Sequence, residues 1–337
     1  MPSRPSRPSR LAVAVIQGGP STEAEVSRAS AASVAKALAD AGHAVVRLEL
    51  DAFLAESLRT GAFDVAFPVT HGAVGEDGAL QGLFEVLDVP YVGSNVLACA
   101  LAMDKRLARR IFALEGLPVA KGLAAVKGEG SAAEQAARAR NEIGARLVVK
   151  PASSGSAIGV MRFETDATHD DVARAIDATW AIDDVAIVEH FAKGREVTCG
   201  VLHLDAPTAL PPTEILSPND AFYTYEARYA PGRSRHVCPA ELPPGVAARV
   251  QQVAVDAHRA LGCRDLSRAD FVVGDEGDDA AVILLEVNAL PGFTTTSLFP
   301  EAAGIAGFPM PALCDALARR AHARGPTRRF SPRPLPR

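Results

Sequence analysis

Cysteine is scarce in this chain of 337 residues, and the five present, Cys99, Cys199, Cys238, Cys263 and Cys314, are odd in number and never closely paired. That excludes a disulfide framework and offers no zinc-ligand spacing, so a reducing, cytoplasmic setting is expected. Long apolar runs are missing too. No stretch reaches the length a membrane-spanning helix needs, and no membrane partner is expected. Leu11–Ile16 is too short for the apolar part of a secretory signal and runs straight into Gly18-Gly19, which reads as a strand and its turn. Met1–Arg10 repeats Pro-Ser-Arg without apolar periodicity and reads as a flexible tail. No internal repeat of fixed period is found.

The formal charge is −5, but Met1–Arg10 and Arg319–Arg337 hold ten arginines and no carboxylate, leaving a body with 25 basic against 40 acidic residues. An acidic body argues against nucleic acid as a partner, and the basic ends read as solvated tails. Apolar residues make up 48% of the chain and charged ones 22%, the balance of a globular protein with a full core. The length exceeds what one core ordinarily serves, so two or three subdomains are expected.

Residues 11–93 alternate strand and helix signals. The apolar run Leu11–Ile16 is followed by a glycine turn, a capping box of Thr22 with Glu25, an alanine-rich helix stopping near Gly42, and strands at Val45–Leu50 and Val65–Val69. This implies a parallel, doubly wound α/β domain. From Ser94 one helix is expected through Met103-Asp104-Lys105 to Glu115, stopped by Gly116 and Pro118. A central unit over 94–188 then holds a helix near Ala132–Glu142, the strand Leu147–Lys150, a glycine-rich loop and a strand ending near Val188. A mixed α+β unit covers 189–318, with a polar loop at Ser217–Arg235 and a helix at Val246–Leu261, and residues 319–337 form the basic tail.

Lys150-Pro151-Ala152-Ser153-Ser154-Gly155-Ser156-Ala157-Ile158-Gly159 sets a lysine at a strand end before a loop of small residues. Small residues let backbone N–H groups approach phosphate oxygens while the lysine supplies positive charge. The segment lacks the Gly-Lys-Ser/Thr ending of a Walker loop. Arg268-Ala269-Asp270 and Glu286-Val287-Asn288 each present two polar groups on one face of a strand. A hairpin centred in the acidic turn Asp275–Asp279 would set Asp270 and Glu286 nearly opposite each other. Facing carboxylates repel unless a cation separates them, and oxygen-only ligands select Mg2+. A solvated face with Arg268 paired to a carboxylate explains the same residues equally well. His71 lies in a loop after a strand, where ligands bind in α/β proteins but where ordinary loop histidines also occur. Glu23 sits near a helix N-terminus, where a carboxylate is expected for capping alone.

Read together, Gly18-Gly19-Pro20-Ser21-Thr22-Glu23, His71-Gly72 through Gly78-Ala79-Leu80-Gln81-Gly82, Met103-Asp104-Lys105, the Lys150 loop, Phe222-Tyr223-Thr224-Tyr225-Glu226-Ala227-Arg228-Tyr229 and Leu285-Glu286-Val287-Asn288-Ala289-Leu290-Pro291-Gly292 resemble, in order, the motifs of the D-alanine–D-alanine ligases. The resemblance covers Leu11–Leu317. It implies an ATP-grasp fold behind the doubly wound domain and ATP-dependent joining of two D-alanines through an acyl phosphate, as a step of peptidoglycan precursor synthesis. Two Mg2+ ions, with Mn2+ able to substitute, and a homodimer are implied with it.

Residue by residue, the resemblance makes Lys105 and Lys150 phosphate-contacting lysines and the loop including Ser153, Ser154, Gly155 and Ser156 the lid over the phosphates. Glu189, His190, Phe191 and Ala192 correspond to the segment that holds adenine, and Glu196 to the carboxylate on ribose. Asp270, Glu286 and Asn288 correspond to the metal ligands. Arg268 and the backbone N–H of Gly292 match the groups that hold the oxyanion of the tetrahedral intermediate. Glu23 matches the partner of the first ammonium, with His71 close by, and Ser297 and Leu298 match the receptors of the second carboxylate. Glu23, Ser156 and Tyr229 match a hydrogen-bonded triad closing the site. That tyrosine, where depsipeptide-forming relatives commonly carry phenylalanine, points to an amine nucleophile, and Ser217–Arg235 is expected to be a lid.

Two departures stand out. Arg228 replaces the usual lysine among the nucleotide contacts, keeping charge but changing donor geometry, and Ala157 replaces the second serine of the phosphate loop. The alternatives are a relative joining other D-amino or hydroxy acids, or a nucleotide-binding protein without ligase chemistry. Joint retention of Glu23, Lys150, Arg268, Asp270, Glu286 and Asn288 disfavours the latter.

Overall fold

The computed structural model describes residues 10–165, 167–217 and 234–326. Arg228 and Tyr229 lie outside the described residues, as do most of the Ser217–Arg235 loop, residues 1–9 and the last eleven residues.

The first sheet is parallel, in the order β2 (Ala44–Glu49), β1 (Ala12–Gln17), β3 (Val65–Pro68). Alternation along β1 serves two cores. Val13 and Val15 pack towards α1 (Ala24–Asp40), whereas Ala14 and Ile16 pack towards α2 (Leu54–Thr60) and α3 (Ala79–Val86). Helices on both faces make the doubly wound arrangement expected of a buried parallel sheet. The Thr22–Glu25 capping box does not form. Helix α1 starts at Ala24 with Glu23 at the N-cap position and no side-chain cap, and the Glu23 N–H donates instead to Ser21 Oγ at 3.1 Å.

The single helix expected from Ser94 is two, α4 (Val96–Met103) and α5 (Lys105–Leu114). Asp104 leaves helical geometry, its side chain accepting from the Leu107 N–H at 3.0 Å as the cap of α5. A capping carboxylate is worth about 1 kcal/mol and so fixes where the chain turns. Both helices pack on the large C-terminal sheet rather than on the sheet that follows them in sequence. Segment 94–118 therefore sides with the later unit.

The second sheet is antiparallel, in the order β4 (Gly122–Val126), β7 (Val185–His190), β5 (Leu147–Pro151), β6 (Met161–Phe163). Its inner face packs on α6 (Ala132–Ile143) and α7 (His169–Trp180). Each helix opens with a capping box, Ser131 with Glu134 and Thr168 with Asp171. The α7 box sits in a stretch where the sequence pattern suggested only loop and strand.

The third sheet runs β11 (Arg235–Val237), β10 (Thr213–Leu216), β8 (Arg195–His203), β12 (Asp265–Val273), β13 (Val282–Asn288), with β9 (Pro207–Ala209) paired to β8. Cys199, Ala269, Phe271, Leu284 and Val287 cover one face against α8 (Pro244–Ala260). Leu284 and Val287 share that face although three residues apart, because the β12–β13 register shifts between Asp270 and Phe271. The shift re-phases β13 so that Glu286 and Asn288 point away from α8.

After α9 (Leu298–Ile305), α10 (Met310–Arg324) returns to pack on α1 and β3. It continues past position 319, where the sequence suggested a tail, because its arginines have partners. Arg319 pairs with Asp315, and Arg320 and Arg324 both reach the fully buried Asp265. Among the described residues no helix is long and apolar enough to cross a membrane.

Candidate active site

Two pockets meet where the loop after β5 faces β13, one between the second and third sheets and the other between the third sheet, the start of α1 and the loop after β3. The first is lined by Lys105, Lys150, the loop after β5, the Glu189–Ala192 segment, Glu196, Asp270 and Glu286. The second is lined by Glu23, His71, Glu76, Ser156, Arg268, Asn288, Gly292, Ser297 and Leu298. Gly155 and Glu286 belong to both walls. The structure thus brings together every described residue that the sequence nominated, Ser153 excepted.

Lys150 is buried, its Nζ 2.5 Å from Oε1 of Glu189. The other oxygen of Glu189 pairs with Arg109. Burial alone would push Glu189 up, but Lys150 and then Arg109 outweigh it and hold the carboxyl below its ordinary range. Glu189, expected to face a nucleotide base, therefore has both oxygens on cations. Lys105, the first residue of α5, donates from Nζ to the Ser154 carbonyl at 2.7 Å and lies 3.2 Å from Glu286 Oε2.

The loop after β5 is anchored at its base. The N–H and hydroxyl of Ser153 both bind Asp183 Oδ2, at 2.8 and 2.6 Å, so Ser153 secures the loop instead of facing the pocket. Ser156 and Ala157 then adopt left-handed backbone, with φ of 51° and 58°. This turns the Ser156 hydroxyl onto Glu23 Oε1. Glu23 is buried and makes no cap, which removes the capping explanation for this carboxylate.

On the opposite wall Asp270 pairs with Glu286 across β12 and β13, and Arg268 with Asn288, the register expected from the sequence. Arg268 grips Asp270 with two hydrogen bonds, Nε to Oδ1 and Nη2 to Oδ2, each 2.8 Å, and Thr198 Oγ1 donates to the same carboxylate at 2.7 Å. The facing carboxylates are thus balanced by Arg268 and Lys105, the arrangement that competed with a metal reading. The donor set still suits Mg2+. Asp270 and Glu286 offer two carboxylates across the strand pair and Asn288 a carboxamide oxygen, which also accepts from the Leu290 N–H at 2.8 Å, so the oxygen donors on this face suit such an ion. A metal at this face would compete with Arg268 for Asp270 and with Lys105 for Glu286.

His71 is buried, and its Nε2 has no hydrogen-bond partner among the described residues. Burial pushes its imidazole below the ordinary value, with Glu23 opposing and Arg268 reinforcing. A Cβ on Gly292 would fall 3.9 Å from that Nε2 and 3.0 Å from Ser297 Oγ, so the absence of a side chain keeps this wall open. Ser297 Oγ accepts from the Thr294 N–H at 2.9 Å and meets Thr294 Oγ1 at 2.8 Å, at the N-terminus of α9 where helical N–H groups lack internal partners. Arg162, not singled out in the sequence, lies 4.8 Å over the Phe191 ring and 3.5 Å from Glu196.

Sequence reasoning also passed over Glu76. Part of the residue is exposed, but its carboxyl is desolvated and accepts from the Gly72 N–H at 2.9 Å. Burial, partly opposed by that bond and reinforced by Glu23, pushes it up to about 8. Only its place inside the His71–Gly78 motif hinted at a role.

Comparison with known proteins agrees with this geometry. The family model described as "D-ala D-ala ligase C-terminus" matches residues 111–319, and "D-ala D-ala ligase N-terminus" matches 52–94. The D-alanine–D-alanine ligase of Gluconobacter oxydans is 44% identical over 318 residues, covering 93% of this chain and 100% of the relative. That of Desulforamulus reducens is 41% identical over 313 residues, covering 92% and 98%. Among solved structures, the D-alanine–D-alanine ligase from Coxiella burnetii superposes with a TM-score of 0.77 at 29% identity, covering 94% of this chain and 95% of that one. The Bacillus anthracis ligase complexed with ATP gives 0.77 at 27% identity, covering 92% and 97%. With its one parallel and two antiparallel sheets, its paired pockets and relatives of this similarity along nearly its whole length, the chain belongs to the D-alanine–D-alanine ligase family.

Proposed function

We propose that this protein joins two D-alanines into D-alanyl-D-alanine at the expense of ATP, with the reaction centred where the two pockets share Gly155 and Glu286. Meeting walls are the observation that carries the reading. A carboxylate in the second pocket lies next to whatever phosphate occupies the first, so phosphoryl transfer needs no large movement of substrate.

In this reading Lys105 and Lys150 draw the phosphates of ATP, and the Glu189–Ala192 segment and Glu196 hold its base and ribose. Glu23 takes the ammonium of the first D-alanine, and the unpartnered Nε2 of His71 faces the same substrate. The substrate carboxylate attacks the γ-phosphorus. The new O–P bond forms as the bond to ADP breaks, giving an acyl phosphate. The neutral amine of the second D-alanine, its carboxylate held by Ser297 and the N–H of Leu298, then attacks the acyl carbon. Arg268 and the Gly292 N–H stabilise the oxyanion, and inorganic phosphate leaves as the peptide bond forms and the amine gives up its proton. Asp270, Glu286 and Asn288 would hold Mg2+, which when bound neutralises charge on the transferring phosphoryl group.

Cytoplasmic location, where ATP and peptidoglycan precursors are available, and assembly as a homodimer belong to the same proposal. Its test is product identification. A panel of D- and L-amino acids with ATP should give ADP, phosphate and D-alanyl-D-alanine from D-alanine, whereas ADP release without D-alanine, or a different condensation product, would refute it.

A further inference from the structure

Arg109 takes no part in the reaction just described and does not line the nucleotide pocket, yet it holds Glu189, a carboxylate of that pocket's wall. It reaches from α5 to β7, so one side chain joins a helix of the third-sheet core to the second sheet. Its Nη2 donates to the Ala120 carbonyl at 2.6 Å, and a Cβ on Gly122 would sit 2.7 Å from that nitrogen. Gly122 thus leaves the passage through which the guanidinium threads.

At the end of that passage Glu189, only 4% exposed in its side chain, binds Arg109 through one oxygen and Lys150 through the other. One buried and one partly buried cation share one buried carboxylate. A lone carboxylate at this depth would be strongly unfavourable, and a lysine held by it alone would be slow to leave. With Arg109 in place, Lys150 can give up Glu189 and the carboxylate remains paired. The surplus positive charge also favours an incoming anion.

We propose that Arg109 is a positioning residue that keeps Glu189 paired while Lys150 exchanges that carboxylate for a nucleotide phosphate. The inference rests on the reading that ATP occupies this pocket. A guanidinium suits the role because its planar fork holds the carboxylate and the Ala120 carbonyl together, whereas the single ammonium of Lys150 is free to turn.

Calorimetric titration with ADP and with adenosine separates the possibilities. The parent should bind ADP, and failure to do so would remove the nucleotide reading itself. Arg109→Met should weaken ADP roughly tenfold or more, the scale of one buried charge pair, while adenosine affinity changes by less than about twofold. Arg109→Lys, which keeps the charge without the fork, should recover part of the loss. In a Glu189→Gln background the loss caused by Arg109→Met should shrink to a few-fold, because Lys150 then has no carboxylate to leave and only the long-range attraction of the lost charge remains. No loss for ADP, an equal loss for ADP and adenosine, or a full loss persisting in the Gln background overturns the proposal. Should Arg109→Met not fold, Glu189→Gln alone decides: the ratio of ADP to adenosine affinity should rise above the parent's, and a fall overturns the proposal.

Discussion

Ser156 and Glu23, 133 positions apart in sequence, are joined by a hydrogen bond from the serine hydroxyl to the glutamate carboxylate. The bond ties the glycine turn after β1 to the phosphate loop after β5, closing one side of the second pocket. Left-handed backbone at Ser156 and Ala157 is needed to bring the hydroxyl round, at a cost of about 1–2 kcal/mol per residue. The loop is therefore shaped for the site and not for local stability.

Glu23→Gln should raise the KM for the first D-alanine roughly ten- to a hundredfold, the range of a lost charge-assisted hydrogen bond. The melting temperature should move little, since Glu23 caps nothing in α1. Steady-state kinetics beside a thermal melt check both parts. Parental KM with a lowered melting temperature would return Glu23 to a structural role.

Glu286→Gln removes the carboxylate shared by both pockets and by the Lys105 pair. Turnover should fall by on the order of a hundredfold or more, with ADP affinity changed only a few-fold. ADP release measured across a Mg2+ titration tests this, and a near-parental rate would contradict the metal assignment.

Gly292→Ala would place a Cβ 3.0 Å from Ser297 Oγ. Displacing that hydroxyl should raise the KM for the second D-alanine by about tenfold, the weight of one misplaced hydrogen bond, and leave the first nearly unchanged. Equal effects on both substrates would mean that the two subsites are not divided in this way.

Glu76 gives a pH signature. Its carboxyl stands near 8 in the folded chain against an ordinary 4.5. Between those values the folded state holds a proton that the unfolded chain has released, so the stabilising contribution is full below 4.5 and is lost as pH rises through 8. Glu76→Gln, which cannot ionise, should therefore gain melting temperature relative to the parent as pH rises from 5 to 8. Parallel curves over that range, measured without nucleotide or metal, would show that Glu76 is not desolvated.

Much of this site was legible because period-two alternation fixes faces. Arg268 with Asp270 and Glu286 with Asn288 could be placed on one side of a hairpin, and the register agrees. The lysine at the end of β5 and its loop of small residues were readable for the same local reason. Relationships without a local pattern were not. Nothing near Arg109 announces that it reaches Glu189, 80 positions away. The halt at Asp104 is decided by one capping side chain, and the persistence of α10 to Arg324 depends on the distant Asp265. Glu76 looked like an ordinary loop carboxylate because desolvation is a property of the folded pocket.

The central claim is that a D-alanine carboxylate takes the γ-phosphoryl group before the peptide bond forms. Supplying D-alanine labelled with heavy oxygen in its carboxylate, with unlabelled ATP, and weighing the released phosphate tests it directly. The acyl-phosphate route predicts one labelled oxygen in the phosphate for each D-alanyl-D-alanine made. Dipeptide formed alongside unlabelled phosphate would contradict it.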